Sequence, residues 1–237
     1  MFQTLLLLLC LCSTLSALTW TTPEQLSTDG QNATFAQIAV DFNGDAVAVW
    51  QRPNDNGTYT LIQASIYTKA TNSWSTTPVD ISLDPSETVE AQEGLNAVEP
   101  QVAVDTTGDA IAVWRRFNGS FYIVQAALYT KSTNTWAVPI DLSVDGQSAL
   151  QPQISIGSGN DAIVIWRRLN PTNNLYLLQG SAYTKTTNTW ATPDNISTFG
   201  QNSANGQVDV NAVGDTISVW QQSNGQNVVI QSSTTTL

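Results

Sequence analysis

The chain has 237 residues, with 19 acidic against 8 basic side chains, no histidine and a formal net charge of -11. That balance opposes nucleic-acid backbones, whose binding depends on clustered lysine and arginine. The missing histidine removes the commonest general base and metal ligand.

Residues 1–17 read as an export signal: an apolar run from Leu5 to Leu11 is followed by the small-residue stretch Leu15-Ser16-Ala17. No basic residue precedes the run, and it is too short to span a bilayer. Both cysteines, Cys10 and Cys12, fall inside it, so a chain starting near Leu18 has no disulfide or thiolate chemistry. Residues 18–237 are then expected as one secreted or extracytoplasmic domain, a monomer with no membrane span.

Next comes a Trp-bearing segment, Thr19-Trp-Thr-Thr-Pro-Glu-Gln-Leu-Ser27, and after it a repeating unit. The tryptophans fall into two interleaved series, Trp20, Trp74, Trp136, Trp190 and Trp50, Trp114, Trp166, Trp220, recurring at intervals of 52 to 64 residues. Self-similarity on that scale marks one supersecondary unit copied in tandem. The units span about 35–82, 99–143, 151–197 and 205–237, with 18–27 belonging to the last.

Within a unit the pattern predicts four strands. The first is Gln37–Asp41, with copies at Gln101–Asp105, Gln153–Ile156 and Gln207–Val210. The second is Asp45–Trp50, copied at Asp109–Trp114, Asp161–Trp166 and Asp215–Trp220; its nearly continuous Ala, Val and Ile run implies a central strand buried on both faces. The third covers Leu61–Lys69, Ile123–Lys131 and Leu177–Lys185. The fourth starts at Trp74, Trp136 or Trp190 and runs into Asp80-Ile-Ser82, Asp141-Leu-Ser143 or Asn195-Ile-Ser197. Gly44, Gly108 and Gly214 stand where a hairpin before the second strand needs positive φ.

Four strands per unit is the pattern of a propeller blade. The fourth unit has a third strand around Ile230 and no Trp-bearing fourth strand after it, while Thr19–Ser27 matches Thr189–Ser197. The expectation is therefore an all-β fold, a β-propeller of four four-stranded blades closed by the N-terminal strand completing the last blade. An open or oligomeric arrangement is the alternative.

The Gly-Asp-Ala-x-Ala-Val-Trp strands and Thr-Trp hairpins resemble the repeats of sialidase-like (Asp-box) β-propellers. The resemblance implies a propeller. A sialidase activity would imply an arginine triad, a Tyr and Glu pair and an acid catalyst; the Arg-Ile-Pro start of that pattern is missing, and Tyr129–Trp136 keeps the Thr-Trp end of the box without its Asp and Gly.

All five arginines follow the second-strand tryptophan: Arg52, Arg115, Arg116, Arg167 and Arg168, with Gln221 and Gln222 in the fourth unit. Loops from the second to the third strand share a face in a propeller, so Arg52, Arg115, Arg116, Arg167, Arg168 and Gln222 are candidates to grip a carboxylate, sulfate or phosphate; pairing with nearby aspartates is the other reading. The longest linker, Leu83–Pro100, carries Glu87, Glu90, Glu93 and Glu99 over that face. Two carboxylates per turn, as in Asp41–Asp45, fall short of a calcium cage. No cofactor and no metal are expected. Tyr67, Tyr129 and Tyr183 recur as packing aromatics.

With histidine and thiol chemistry unavailable, the composition favours a non-enzymatic binding module for a protein or glycan ligand. A divergent glycoside hydrolase using carboxylates on the arginine face and a purely structural surface protein are the competing readings.

Overall fold

A computed structural model describes residues 19–83, 95–198 and 200–237. Among them every regular element is a strand, arranged in four antiparallel sheets. The first holds β1 (Thr34–Val40), β2 (Ala46–Pro53), β3 (Thr60–Thr68), β4 (Ser73–Trp74) and β5 (Val79–Asp80). The second repeats this as β6 (Ala97–Val104), β7 (Ala110–Phe117), β8 (Tyr122–Thr130), β9 (Thr135–Trp136) and β10 (Ile140–Asp141). The third runs β11 (Ala149–Ile156), β12 (Ala162–Asn170), β13 (Leu175–Thr184), β14 (Thr189–Trp190) and β15 (Asp194–Asn195). The fourth has three strands only, β16 (Ser203–Val210), β17 (Asp215–Ser223) and β18 (Val228–Thr236). The export signal predicted at 1–17 and the linker residues Glu87, Glu90 and Glu93 lie outside the described residues.

The second strand of each sheet pairs on both sides, and in the second and third sheets its two faces meet neighbouring sheets. That double burial explains the unbroken apolar run: Ala110 to Trp114 are all buried. The buried tryptophan still has an N–H to satisfy, and in the first two sheets a glutamine on the third strand takes it, whereas Trp166 Nε1 has no hydrogen-bond partner and Trp220 donates to Gln222 of its own strand. Trp50 Nε1 donates to Gln63 Oε1 at 3.2 Å, and Gln63 Nε2 donates to Asp80 at 2.7 Å. Trp114, Gln125 and Asp141 repeat the relay at 3.2 and 2.7 Å. It ties the outermost segment of a sheet to its centre.

That outermost segment is shorter than predicted. Each expected fourth strand is split in two, as β4/β5, β9/β10 and β14/β15, around Pro78, Pro139 and Pro193. Proline has no N–H for the ladder. A serine closes the gap on the far side: Ser82, Ser143 and Ser197 hydroxyls accept from the Ile62, Val124 and Leu178 N–H groups at 2.8–2.9 Å.

Sheets pack face to face through three apolar clusters. Val49, Ile62 and Ile81 of the first meet Ala112, Trp114 and Tyr129 of the second. Val113, Val124 and Leu142 of the second meet Val164, Trp166 and Tyr183 of the third. Ile165, Leu178 and Ile196 of the third meet Trp220, Val208 and Val210 of the fourth. The recurring tyrosines pack as expected: Tyr67, Tyr129 and Tyr183 lie tilted against Trp74, Trp136 and Trp190 at 5.2–5.4 Å between ring centres.

Ring closure by the N-terminal segment is not found. Residues 19–33 form no strand, and β18 pairs with β17 alone. Trp20 is 88% exposed and Ile230 70% exposed, so the two do not share a sheet. The arm is held at the first sheet instead, where Gln31 bonds Arg52 and Asp55.

Candidate functional site

Each first strand carries a bulge at the same place. The register slips between Thr34 and Gln37, Val98 and Gln101, Leu150 and Gln153, and Ala204 and Gln207. At the apex of each slip stands a non-glycine residue with positive φ: Phe35 (55°), Glu99 (57°), Gln151 (54°) and Asn205 (51°). Left-handed backbone costs roughly 1–2 kcal/mol for such residues, and strain of this kind, like the bulge itself, concentrates at functional sites. Sequence reasoning missed this feature. Its signal was Pro100, Pro152 and Gly206 at one repeat position, since proline and glycine inside a strand mark a bulge.

The four bulges surround one cavity of about 220 Å³. Its walls are the apex residues Phe35, Glu99, Gln151 and Asn205 with the glutamines Gln37, Gln101, Gln153 and Gln207. Amides, one aromatic ring and one carboxylate offer donors, acceptors and an apolar face without a strong field of either sign.

The candidate arginines divide between two faces, because successive side chains on a strand point oppositely. Arg115 and Arg167 serve the bulges. Arg115 grips Glu99 at 2.7 Å and stacks on Tyr122, with its guanidinium 4.3 Å from the ring centre. Arg167 bonds Gln151 and the Ser203 carbonyl and stacks on Tyr176. In the fourth sheet Gln221 takes the same role, accepting from Asn205 at 3.0 Å.

The other series lies on the tryptophan side. Arg52 is buried and bonded to Gln31, Asp55 and Asp80. Arg168 has an Nε with no hydrogen-bond partner, and burial lowers its affinity for a proton. Gln222 is buried, its carbonyl accepting from Trp220 and Ser203. Arg116 is one residue from Arg115 and therefore shares the Arg52 and Arg168 side. The six candidates thus form two sets rather than one ring, and Arg115 and Arg167 touch the cavity-lining residues Glu99 and Gln151.

At the opposite ends of the first strands, acidic turns clamp one sheet to the next. Asp41 Oδ1 accepts from the N–H groups of Asn43 and Asp45 at 2.8 and 2.9 Å, and Asp105 repeats this. Lys131 reaches from the second sheet to Asp41 (3.0 Å) and Asp45 (2.7 Å) of the first. Lys185 reaches likewise from the third to Asp105 and Asp109 of the second. The Lys131 hydrogen bond holds the Asp45 carboxyl below its ordinary range, and the Asp45 bond in turn raises the Lys131 ammonium. Among the described residues no group of three or more such side chains gathers to hold a metal.

No protein-family profile and no curated protein sequence matches the chain. Several solved structures match in fold. A protein of unknown function from Dyadobacter fermentans superposes with a TM-score of 0.60 at 12% identity, over 87% of this chain and 66% of its own. The GH93 α-L-arabinofuranosidase of Fusarium graminearum, in complex with arabinobiose, gives 0.54 at 11% identity over 85% and 61%. The Penicillium chrysogenum α-L-arabinanase, also complexed with arabinobiose, gives 0.52 at 13% over 85% and 62%. The chain thus spans less than two thirds of each.

These comparisons correct two expectations. The sialidase-like resemblance has no family-level support; the shared feature is the β-propeller fold itself. The expectation of a non-enzyme is overturned, because arabinan-degrading hydrolases share this fold. Glycoside hydrolysis runs on carboxylates, so missing histidine and thiol do not exclude it. What the likeness establishes for this chain is the fold: all-β, built of propeller-type sheets.

Proposed function

We propose that the chain is a carbohydrate-active β-propeller of the glycoside-hydrolase kind, taking an oligosaccharide in the cavity between its four bulges. The observation that supports this reading is the lining itself. Gln101, Gln151, Gln153, Asn205 and Gln207 offer amides that can pair with sugar hydroxyls, and Phe35 offers a face for a sugar ring. Glu99 brings a carboxylate to the same wall, fixed in position by Arg115. Fold-level kinship to arabinan-degrading enzymes makes pentofuranosides the first substrate class to test.

Glycoside hydrolysis uses two carboxyl groups, one acid and one nucleophile or base. In this reading Glu99 is the carboxylate that acts from the bulge wall, and Arg115 is its positioning residue. The test is reducing-sugar release from arabinobiose and longer arabino-oligosaccharides, with binding measured in parallel by calorimetry. Glu99→Gln is expected to abolish turnover while leaving binding within about tenfold. Gln153→Ala with Asn205→Ala should weaken binding by about tenfold, the scale of one or two lost hydrogen bonds. Turnover that survives Glu99→Gln, or no binding of any pentose or hexose oligosaccharide, would overturn the reading.

A further inference from the structure

In the first sheet Arg52 stands in a socket that the chain fills itself. Its Nη1 donates to Gln31 and to Asp55 at 3.1 Å, and its Nη2 reaches Asp80 at 3.3 Å. Asp80 also accepts from the Gln63 amide at 2.7 Å, so guanidinium, amide and carboxylate satisfy one another.

The third sheet keeps the arginine and drops both carboxylates. Pro171 stands five residues after Trp166, as Asp55 does after Trp50, and Asn195 pairs with Gln179 as Asp80 pairs with Gln63. Among the described residues Arg168 makes no hydrogen bond and no ion pair; burial lowers its proton affinity, and no carboxylate acts against that. Arg52, Arg115, Arg116 and Arg167 all have partners. In a chain with 19 acidic residues the exception is not a shortage of carboxylates.

The change from aspartate to asparagine also reverses what stands beside the arginine. Asn195 Oδ1 accepts from Gln179 Nε2 at 2.8 Å, which leaves the amide N–H groups of Asn195 to point elsewhere. No acceptor among the described residues takes them, and Asn195 is exposed while Arg168 is part-buried, so the socket opens to solvent. Deeper on the same face, Trp166 Nε1 and Gln179 Oε1 are buried without partners, although Trp50 and Gln63 bond each other at these positions. Trp166 is 0% and Gln179 4% exposed. Unpartnered buried polar atoms beneath an unpaired guanidinium mark a place that a further group completes.

We propose that Arg168 and Asn195 form an anion site on the third sheet, which takes the carboxylate of a small organic acid. The carboxylate stands beside Arg168 as Asp80 stands beside Arg52, accepting from the guanidinium and from the Asn195 amide. A carboxylate is assigned ahead of sulfate or phosphate because the equivalent socket of the first sheet is built around one. The inference is independent of the hydrolytic reading: Arg168 lies on the opposite side of its strand from Arg167, which serves the cavity between the bulges.

Amide chemical shifts of the 15N-labelled chain, followed as sodium glucuronate is added, test it. The Arg168, Gln179 and Asn195 signals should move together and saturate, while glucose, the neutral sugar of similar size, leaves them in place. Arg168→Gln should weaken binding by about tenfold or more, the scale of a lost charge-assisted hydrogen bond. Gln222 holds this repeat position in the fourth sheet, so circular dichroism should show the fold unchanged. Asn195→Asp should weaken binding by about as much with the arginine still present, because it gives Arg168 the carboxylate that Asp80 gives Arg52. The absence of any saturable shift overturns the proposal, and so does binding that survives both substitutions. Equal shifts with sulfate and phosphate at the same concentrations and ionic strength overturn it too, as the mark of an adventitious ion only.

Discussion

The third and fourth sheets place similar apolar residues at several equivalent positions, Ile163 and Ile217 or Ile165 and Val219, and differ sharply in what those residues experience. Ile165 is fully buried, while Val219, one repeat later, is 38% exposed. The third sheet ends in β14 and β15, with Asn195 tied to Gln179 at 2.8 Å; the fourth ends at β18, where Gln231 lies exposed. Burial here belongs to the stack and not to the unit, as expected when one repeat cannot cover its own apolar face.

The largest break in that comparison comes from Trp166→Ala. Trp166 is fully buried between the second and third sheets, and the loss should be about 3–5 kcal/mol in denaturant unfolding. Ile165→Ala should cost about 2–5 kcal/mol, while Ile217→Ala on the uncovered face should stay within about 0.5 kcal/mol at concentrations where the chain is monomeric. Equal effects would mean the fourth sheet's open face is covered in solution.

Lys131→Met is next, at about 1–3 kcal/mol, because it strands the buried Asp41 carboxylate without its ammonium. The sign with pH follows from the shifts. Asp45 is depressed, so its contribution is present above the ordinary carboxylate value of 3.8 and is lost as pH falls through the lower folded value. Lys131 is raised, so its contribution is present below 10.5 and is lost as pH rises through the higher folded value. The difference between wild type and Lys131→Met should therefore be full at neutral pH and shrink at both extremes, read from unfolding free energies across the range.

A smaller loss than that of Lys131→Met sharpens the contrast between junctions. The third and fourth sheets have no lysine clamp among the described residues; Gly157 stands where Asp41 and Asp105 stand earlier. A Cβ there would lie 2.8 Å from Val210 and 2.9 Å from the Asn211 carbonyl. Gly157→Ala should cost about 1–2 kcal/mol by prying the two sheets apart, the range of a forced overpacking. Hydrogen exchange should show the opening confined to β16 and β17.

Strands β2, β7 and β12 were plain in the sequence, because burial on two faces leaves an unbroken apolar run and the tryptophan marks its end; β17 was legible from the same tryptophan and its repeat position. The glycine turns were equally plain, since Gly44, Gly108 and Gly214 adopt φ of 86–89°. Ring closure was misjudged from Thr19–Ser27. The segment has the residues of an outer strand, but residues name a fitting partner without saying where the chain finds it. The division of the arginines between two faces was not read from the sequence, because Arg115 and Arg116 were taken together although neighbours on a strand diverge. The cavity walls escaped notice because the first strands were started at Gln37, Gln101, Gln153 and Gln207, one step past the bulges.

Those bulges have a consequence for how the molecule can change. The backbone turns out at the same point in four copies, yet the side chain there is Phe, Glu, Gln or Asn. Shape is thus supplied by the main chain and chemistry by whatever residue occupies the socket, so the lining can be exchanged one position at a time. A repeat protein of this design can acquire a new ligand preference without altering any of the contacts that keep its sheets together.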